Sequence, residues 1–201
     1  MQIRPLDIAG AFEISPVHWD DSRGTFLEWY RFDLLEQAAG RPLDLRQANT
    51  SVSKRGVVRG IHFADTPPGQ AKYVTVPHGA IIDYAVDLRV GSPTFGRSAA
   101  VRLDDVDRRA VFLEEGLGHA FIALQDDTVV SYLVSSTYSP EVEHGISPFD
   151  PQVGLEFPPE AGEPIVSDKD RDAPTLQHAL DAGILPDFAG VHGFLVEQGA
   201  R

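Results

Sequence analysis

A histidine placed between an arginine and a lysine is the strongest chemical signal in this chain. Arg59-Gly60-Ile61-His62 is followed ten positions later by Lys72, with Gly69 shortly before it. Both cations would repel an imidazolium at His62, which favours the neutral ring and hence a general base working near neutral pH. Such a base suits a substrate that is itself an anion. The alternative is a structural histidine whose ring is satisfied by backbone hydrogen bonds.

Three side chains are candidates for proton transfer next to a ketone. This reaction needs a base, a group that holds the enolate oxygen, and an acid on the opposite face of the substrate. His62 is the candidate base, Lys72 the enolate stabiliser and Tyr132 the acid. Asp170, in Ser167-Asp168-Lys169-Asp170, is a candidate for orienting His62 and stabilising its imidazolium. The alternative for Asp170 is a solvated run of charges before a helix.

A metal site is the main competing interpretation. Glu114-Glu115-Gly116-Leu117-Gly118-His119 is a near match to the second half of the cupin metal motif, with glutamate in place of the usual proline. The first half would need a His-x-His pair followed by an acidic residue, but His62-Phe63-Ala64 and later Lys72 occupy that region. Because a lysine ammonium cannot ligate a metal and would repel one, we expect neither a metal nor a cofactor.

The elements that must position these residues are short and rich in Val, Ile, Tyr and Phe. Glycine, proline or aspartate separates most of the strand-like segments, which are Lys72–Pro77, Ala80–Arg89, Gly96–Leu103, Ala110–Glu114, His119–Leu124 and Thr128–Ser136. This spacing predicts a mostly-β sandwich or barrel whose open end is available to a ligand. Alternation of Val130, Tyr132 and Val134 with serines predicts that Tyr132 points inward. Short flanking helices are predicted over Phe32–Ala39 and over Pro174–Gly183, the second with Asp172 as N-cap.

Composition limits the class of protein. The chain has 201 residues, a formal net charge of −13 and no cysteine. The acidic balance argues against nucleic-acid binding, and the lack of cysteine excludes disulfides and thiolate metal sites. No apolar run reaches the ~18 residues that a membrane span needs, and the N-terminus has no apolar signal-peptide core. We therefore expect a cytoplasmic protein without a membrane partner.

Many further motifs, in a fixed order, resemble the dTDP-4-dehydrorhamnose 3,5-epimerase family, a metal-free branch of the cupins. Besides His62, Lys72 and Tyr132, the resemblance rests on Asp21–Glu28, Gln47–Ser53, Arg59–His62, Asp87–Gly96, Gly118–Phe121, Tyr138-Ser139-Pro140 with Glu143, Asp150-Pro151 and Ser167–Asp170. It covers about residues 2–187. The segment Pro67–Tyr73 is similar to the corresponding segment in the sub-branch that makes deoxysugars for glycosylated natural products.

The resemblance implies a fold, a reaction and an assembly. It implies a cupin-type jelly-roll in a homodimer and epimerisation of a dTDP-4-keto-6-deoxyhexose, with His62 as base, Asp170 as its partner, Tyr132 as acid and Lys72 at the enolate oxygen. It places Gln47, Asn49, Arg59, His119 and Tyr138 around the sugar, diphosphate and nucleotide. It also implies that Arg23, Phe26 and Glu28 reach the nucleotide from the neighbouring subunit.

Other readings stay open beside this one. Residues 1–187 are expected to form one domain, and residues 188–201 a tail of unknown role. A metal-dependent cupin oxygenase or isomerase and a non-catalytic sugar-nucleotide-binding module are the alternatives to an epimerase. Even for an epimerase the sequence does not say whether C3, C5 or both centres react, because both carbons flank the same ketone.

Overall fold

The computed structural model describes residues 1–199, and most of its regular structure is β-strand. Within that range the strands are β1 (Gln2–Pro5), β2 (Ala11–Ser15), β3 (Trp19–Asp21), β4 (Gly24–Phe26), β5 (Gln47–Ser53), β6 (Val58–Ala64), β7 (Lys72–His78), β8 (Ala80–Asp87), β9 (Ser98–Asp104), β10 (Ala110–Leu113), β11 (Leu117–Ala123), β12 (Thr128–Val134) and β13 (Glu143–Gly145). The helices are α1 (Phe32–Ala39), α2 (Asp168–Arg171), α3 (Leu176–Asp181) and α4 (Phe188–Gly199), with one 3-10 turn at Pro159–Ala161.

Two antiparallel sheets form the body of the fold. One has the strand order β1-β2-β10-β7-β12-β5, and the other has the order β13-β6-β11-β8-β9. Val74 and Val130 of the six-stranded sheet pack in one buried cluster with Ile81 and Phe121 of the five-stranded sheet. The sheets therefore lie face to face around a common interior. The mostly-β jelly-roll predicted from the sequence is confirmed.

Helices and loops cover the outer faces of both sheets. α1 lies over the six-stranded sheet, where Leu35 packs with Tyr73 and Phe112. It has the predicted bounds and ends at Gly40, whose φ of 77° is the left-handed conformation that glycine adopts most readily. The C-terminal segment lies over the five-stranded sheet, so strands β8 and β11 are buried on both sides.

The second predicted helix is shorter than expected. α3 spans only Leu176–Asp181, and its N-cap is Thr175, whose hydroxyl accepts the backbone N–H of His178 at 3.2 Å. The prediction that Asp172 caps this helix is wrong. Asp172 instead ends α2, where its backbone N–H donates to the carbonyl of Asp168.

The predicted tail of residues 188–201 contains a helix that the sequence analysis missed. Over its described part the chain forms α4, which docks through the buried Val191 and through Phe188, whose ring lies 5.1 Å from the guanidinium carbon of Arg89. Residues 200–201 lie outside the described residues. The segment from 188 is therefore packed on the jelly-roll through at least its first turn.

Candidate active site

A bulge in β6 brings Arg59 and His62 to the same side of the sheet. His62 pairs with His119 of β11 and Arg59 with Phe121, so three steps along β6 match two along β11. The three-residue spacing of Arg59 and His62 by itself predicts such an irregularity if both serve one site, because residues three apart on an ideal strand face opposite ways. Gly60 is required here: its φ is 117°, and a Cβ would collide with the His119 carbonyl.

A cavity of about 470 Å³ opens at this end of the jelly-roll. Most of the predicted site residues line it, namely Gln47, Asn49, Arg59, His62, Lys72, His119, Tyr132, Tyr138 and Asp170. They come from both sheets, from the loop between β12 and β13, and from helix α2. Residues that are up to 123 positions apart in the numbering, from Gln47 to Asp170, thus share one cavity.

His62 and Asp170 form a closely bonded pair. Their Nε2 and Oδ1 atoms are 2.6 Å apart, and the side chain of His62 keeps 33% of its surface exposed whereas that of Asp170 keeps 7%. Burial alone would raise the pKa of Asp170, but the hydrogen bond from His62, its electrostatic attraction and the hydrogen bond from Ser167 hold that pKa below its ordinary value. An ionised Asp170 only accepts, so it fixes the proton on Nε2 and leaves Nδ1 free to accept another.

Lys72 is a buried cation on β7. Only 7% of the residue is exposed, and burial lowers the pKa of Lys72 to about 8 against the opposing attraction of Glu143 and Glu115. Among the described residues, no carboxylate lies within salt-bridge distance of its ammonium. The ammonium therefore faces the cavity without a bound partner and is available to an oxygen anion.

Tyr132 lies on β12, beside β7 in the six-stranded sheet, and pairs with Val74 and Asn49. Burial raises the pKa of Tyr132 above its ordinary value, with Arg59 opposing the shift and Glu143 adding to it. Its hydroxyl therefore stays protonated at neutral pH and can donate. Because His62 lies on the facing sheet, the two side chains enter the cavity from opposite walls.

His119 forms a second histidine–aspartate pair next to the first. Its Nε2 atom is 2.7 Å from Oδ2 of Asp83 on β8, and the side chains of His119 and Asp83 are only 10% and 1% exposed. A carboxylate this deeply buried needs a partner, and His119 supplies one. The pair is therefore held more rigidly and is less accessible than His62–Asp170.

Two glutamines organise the mouth of the cavity. The side chain of Gln47 donates to Asn49 Oδ1 at 2.7 Å and accepts the backbone N–H of Tyr138 at 3.0 Å. Gln70 donates to the carbonyl and hydroxyl oxygens of Ser136. These contacts tie the loop that carries Tyr138 to the sheet, and the Tyr138 ring stays 58% exposed.

Three predicted residues are not part of this cavity. Arg23 and Phe26 lie on the β3–β4 hairpin, where Arg23 pairs with Asp21 at 2.6 Å and Phe26 packs on Trp19 with ring centroids 5.9 Å apart. Glu28 follows the hairpin and pairs with Arg31. Within one chain the structure therefore does not bring them to His62.

Some cavity residues were not named as site residues from the sequence. Glu143, Lys169 and Gln70 line the cavity beside the predicted ones. All three lie in segments on which the family resemblance rests. Lys169 is also next to Asp170, so its position beside a candidate site residue could have indicated that it lines the cavity. Ala120, next to His119, does not line the cavity: it packs in a buried cluster with Tyr84 and Ile146 and fills the space that a Cβ on Gly60 would need.

Comparison with known proteins places this site in a family. The family model described as dTDP-4-dehydrorhamnose 3,5-epimerase matches residues 5–178. The chain belongs to this family. The match includes every strand from β2 to β13 and all of the cavity residues described above.

Three members of the family show how far the similarity extends. The dTDP-4-dehydrorhamnose 3,5-epimerase of Mycolicibacterium smegmatis is 54% identical over 97% of this chain and 96% of its own length. The crystal structure of NovW, a 4-keto-6-deoxy sugar epimerase from the novobiocin cluster of Streptomyces spheroides, is 55% identical with a TM-score of 0.92 and 95% of each chain covered. ChmJ, a 3'-monoepimerase from Streptomyces bikiniensis in complex with dTDP-quinovose, is 44% identical with a TM-score of 0.94 over 98% of this chain and 99% of its own.

Proposed function

We propose that this protein epimerises a dTDP-4-keto-6-deoxyhexose at C3, C5 or both. The observation that carries the proposal is the placement of a carboxylate-bound histidine and a protonated tyrosine on facing sheets, with a buried lysine beside the tyrosine. A substrate ring between the sheets would meet a base on one face and an acid on the other. Membership of an epimerase family, whose members include NovW and ChmJ, supports the same reaction.

The reaction proceeds in two proton transfers. Nδ1 of His62 removes the proton from the carbon next to the 4-ketone, and Asp170 stabilises the imidazolium that forms. The C–H electron pair moves to the ketone oxygen, where the Lys72 ammonium holds the enolate. Tyr132 then returns a proton to the same carbon from the opposite face, which inverts the centre. Neither a metal nor a redox cofactor is required for this balance of protons and electrons.

The rest of the substrate is bound by the mouth of the cavity. We assign the diphosphate and sugar to Arg59 and His119, with Lys169 as a further cation. The exposed Tyr138 offers a stacking surface for the nucleobase. Gln47 accepts the backbone N–H of Tyr138 and donates to Asn49, so these two side chains lie next to that surface. Cations concentrated in this one cleft bind a diphosphate although the chain as a whole carries a net charge of −13.

We also propose that the protein acts as a homodimer. Arg23, Phe26 and Glu28 lie outside their own cavity, and this segment exposes large apolar side chains, including Trp19 at 48%, Phe26 at 67% and Trp29 at 40%. An exposed apolar patch of this kind favours association. In a two-fold dimer each hairpin would complete the nucleotide end of the partner's cavity.

The regiochemistry is the finer part of the proposal. Relatives at 54% and 44% identity are a 3,5-epimerase and a 3'-monoepimerase, so overall similarity does not choose between them. NovW, from the novobiocin cluster, favours a deoxysugar pathway of an antibiotic, and we adopt that assignment. For location, none of the helices within residues 1–199 is long and apolar enough to cross a bilayer. We propose that the enzyme is cytoplasmic.

Incubation of the purified enzyme with dTDP-4-keto-6-deoxyglucose in D2O tests the proposal. Deuterium at C3 alone, at C5 alone or at both identifies the reacting centre, because each epimerised carbon takes its new proton from exchangeable groups. Absence of label at both carbons would contradict the epimerase and favour a binding module. Stoichiometric iron, zinc or manganese that activity requires would favour the metal-dependent alternative.

A further inference from the structure

Glu115 lies in a motif to which the proposed reaction gives no role. It stands in the loop between β10 and β11, and only 4% of the residue is exposed. It lines a second cavity, of about 600 Å³, and not the one that holds His62. Its carboxylate binds the guanidinium of Arg41 through Oε2 and accepts the hydroxyl of Ser135 at 3.1 Å through Oε1.

The contacts of Glu115 lead directly to Lys72. The Ser135 hydroxyl oxygen accepts the backbone N–H of Ala71 at 2.8 Å, and the Ser135 N–H donates to the Ala71 carbonyl at 3.1 Å. The cross-strand neighbours of Lys72 are Leu113 on β10 and Val134 on β12. Glu115 therefore ties together the three strand ends around Lys72 from outside the active-site cavity.

Glu115 is also one of two carboxylates that act on the Lys72 ammonium. Burial lowers the pKa of Lys72, and Glu143 and Glu115 oppose that shift. Glu143 lies on β13 inside the active-site cavity, where a bound substrate can screen it, whereas Glu115 lies outside that cavity. The other titratable or charged groups that line the same cavity are Arg59, His62, His119, Tyr132, Tyr138, Lys169 and Asp170.

We infer that Glu115 is a positioning residue that holds Lys72 in place and favours its charged form, and that Arg41 limits this effect by pairing with Glu115. The inference rests on the proposed function of Lys72 as the group that binds the enolate oxygen. It also gives a role to Glu115, one of the two glutamates in the segment that resembles a metal motif. The carboxylate at 115 serves a resident ammonium instead of a metal ion.

Lysine NMR tests the inference without relying on turnover. The chain has three lysines, Lys54, Lys72 and Lys169, so the side-chain Cε and Nζ signals of labelled lysine are few, and the signal lost in Lys72→Met is that of Lys72. In Glu115→Gln we expect the titration midpoint of Lys72 to fall by about half a pH unit or more, since an attracting charge is removed. The alkaline limb of kcat should move by the same amount.

Glu114→Gln is the matched control. Glu114 is adjacent and half-buried, but it packs against Gly10 and does not act on Lys72. We expect its substitution to leave the Lys72 midpoint within about 0.2 pH unit of the native value. Ser135→Ala should lower kcat about 3- to 10-fold without moving the midpoint, because it removes the link to Ala71 but keeps the charge.

An unchanged Lys72 midpoint in Glu115→Gln, or an equal shift in Glu114→Gln, would overturn the inference. If Glu115→Gln does not fold, Arg41→Gln provides the opposite test, and an unchanged or lower midpoint there would overturn the inference as well. Failure of the proposed role of Lys72 at the enolate oxygen gives a different result. In that case Lys72 would titrate as expected in every variant, while Lys72→Met would still epimerise the substrate.

Discussion

The two walls of the active-site cavity differ in how their polar side chains are held. On the five-stranded sheet, His62 and His119 each bind a buried carboxylate at 2.6 and 2.7 Å. On the six-stranded sheet, burial is the main cause of the pKa shifts of Lys72 and Tyr132. Among the described residues, no hydrogen bond contributes to either pKa. One wall carries oriented proton acceptors, and the other carries donors left for the substrate.

This difference shows how a jelly-roll can separate a base from an acid. A side chain that must accept a proton is kept in one tautomer by a carboxylate on its own side of the barrel. Groups that must meet a developing charge are buried without a partner, so the substrate becomes their partner. The gap between the sheets then holds the substrate, and inversion follows from the architecture.

Separate replacement of His62 and His119 by asparagine should produce the largest difference in activity between two matched variants. His62→Asn removes the base, so we expect kcat to fall by at least ~10³-fold. His119→Asn removes a less exposed binding group and should lower kcat/KM by about 10- to 100-fold, mainly through KM. Steady-state kinetics of both variants measure this. Equal losses of kcat in the two would mean that the two pairs are not distinct in function.

Lys72→Met should separate activity from stability. Loss of the ammonium should lower kcat by about 10²- to 10³-fold. Burial lowers the pKa of Lys72 from 10.5 in the unfolded chain to about 8 in the folded protein. At pH 7 the ammonium is therefore less stable in the folded protein than in the unfolded chain. Removing it should therefore raise the free energy of unfolding by about 1–3 kcal/mol. Denaturant unfolding at pH 7 gives this value, and a clear loss of stability would contradict the account.

Several features of the site follow from local patterns in the sequence. Alternation along Thr128–Ser136 predicted that Tyr132 points inward, and the three-residue spacing of Arg59 and His62 predicted the bulge. These succeeded because strand periodicity depends only on neighbouring residues. The incomplete metal motif still predicts that no metal is bound, because a lysine stands where a ligand is needed.

Long-range pairings could not be derived in this way. Asp170 reaches His62 across 108 positions, and local sequence could offer it only as a candidate partner beside the alternative of a solvated run of charges. Nothing local predicted that Asp83 would bind His119, because that contact depends on the register of β8 against β11. α4 was missed because Gly190 and Gly193 lower its helix propensity, although Asp187, which accepts the Gly190 N–H at 2.7 Å, was a usable capping signal.

The two aspartates should give a smaller contrast than the two histidines. Asp170→Asn removes the charge that fixes the His62 proton, so kcat should fall by about 10²-fold. Asp83→Asn acts through His119 and should change kcat by less than about 10-fold. Kinetics of both variants, with thermal unfolding to establish that each is folded, measure the difference. A larger loss of kcat in Asp83→Asn than in Asp170→Asn would mean that the base belongs to the His119–Asp83 pair and not to the His62–Asp170 pair.

The pH profile of the native enzyme should show the smallest of these effects. Lys72 must be charged to hold the enolate, and its pKa is about 8, so kcat should fall as the pH rises through that value. Stability should move the other way: the unfolded chain binds more protons between about pH 8 and 10.5, so the free energy of unfolding rises across that window. Lys54→Gln is the control that should keep both pH dependences, because Lys54 is exposed and lies outside the cavity.

Deuterium exchange by Tyr132→Phe tests most directly whether base and acid occupy opposite walls. Without the acid, His62 should still remove the substrate proton and return deuterium from D2O to the same face. We therefore predict label at the reacting carbon with retained configuration, exchange within about 10-fold of the native rate, and epimer formation lowered by at least ~10²-fold. Epimer formation at the native rate, or loss of exchange as complete as in His62→Asn, would contradict the two-wall arrangement.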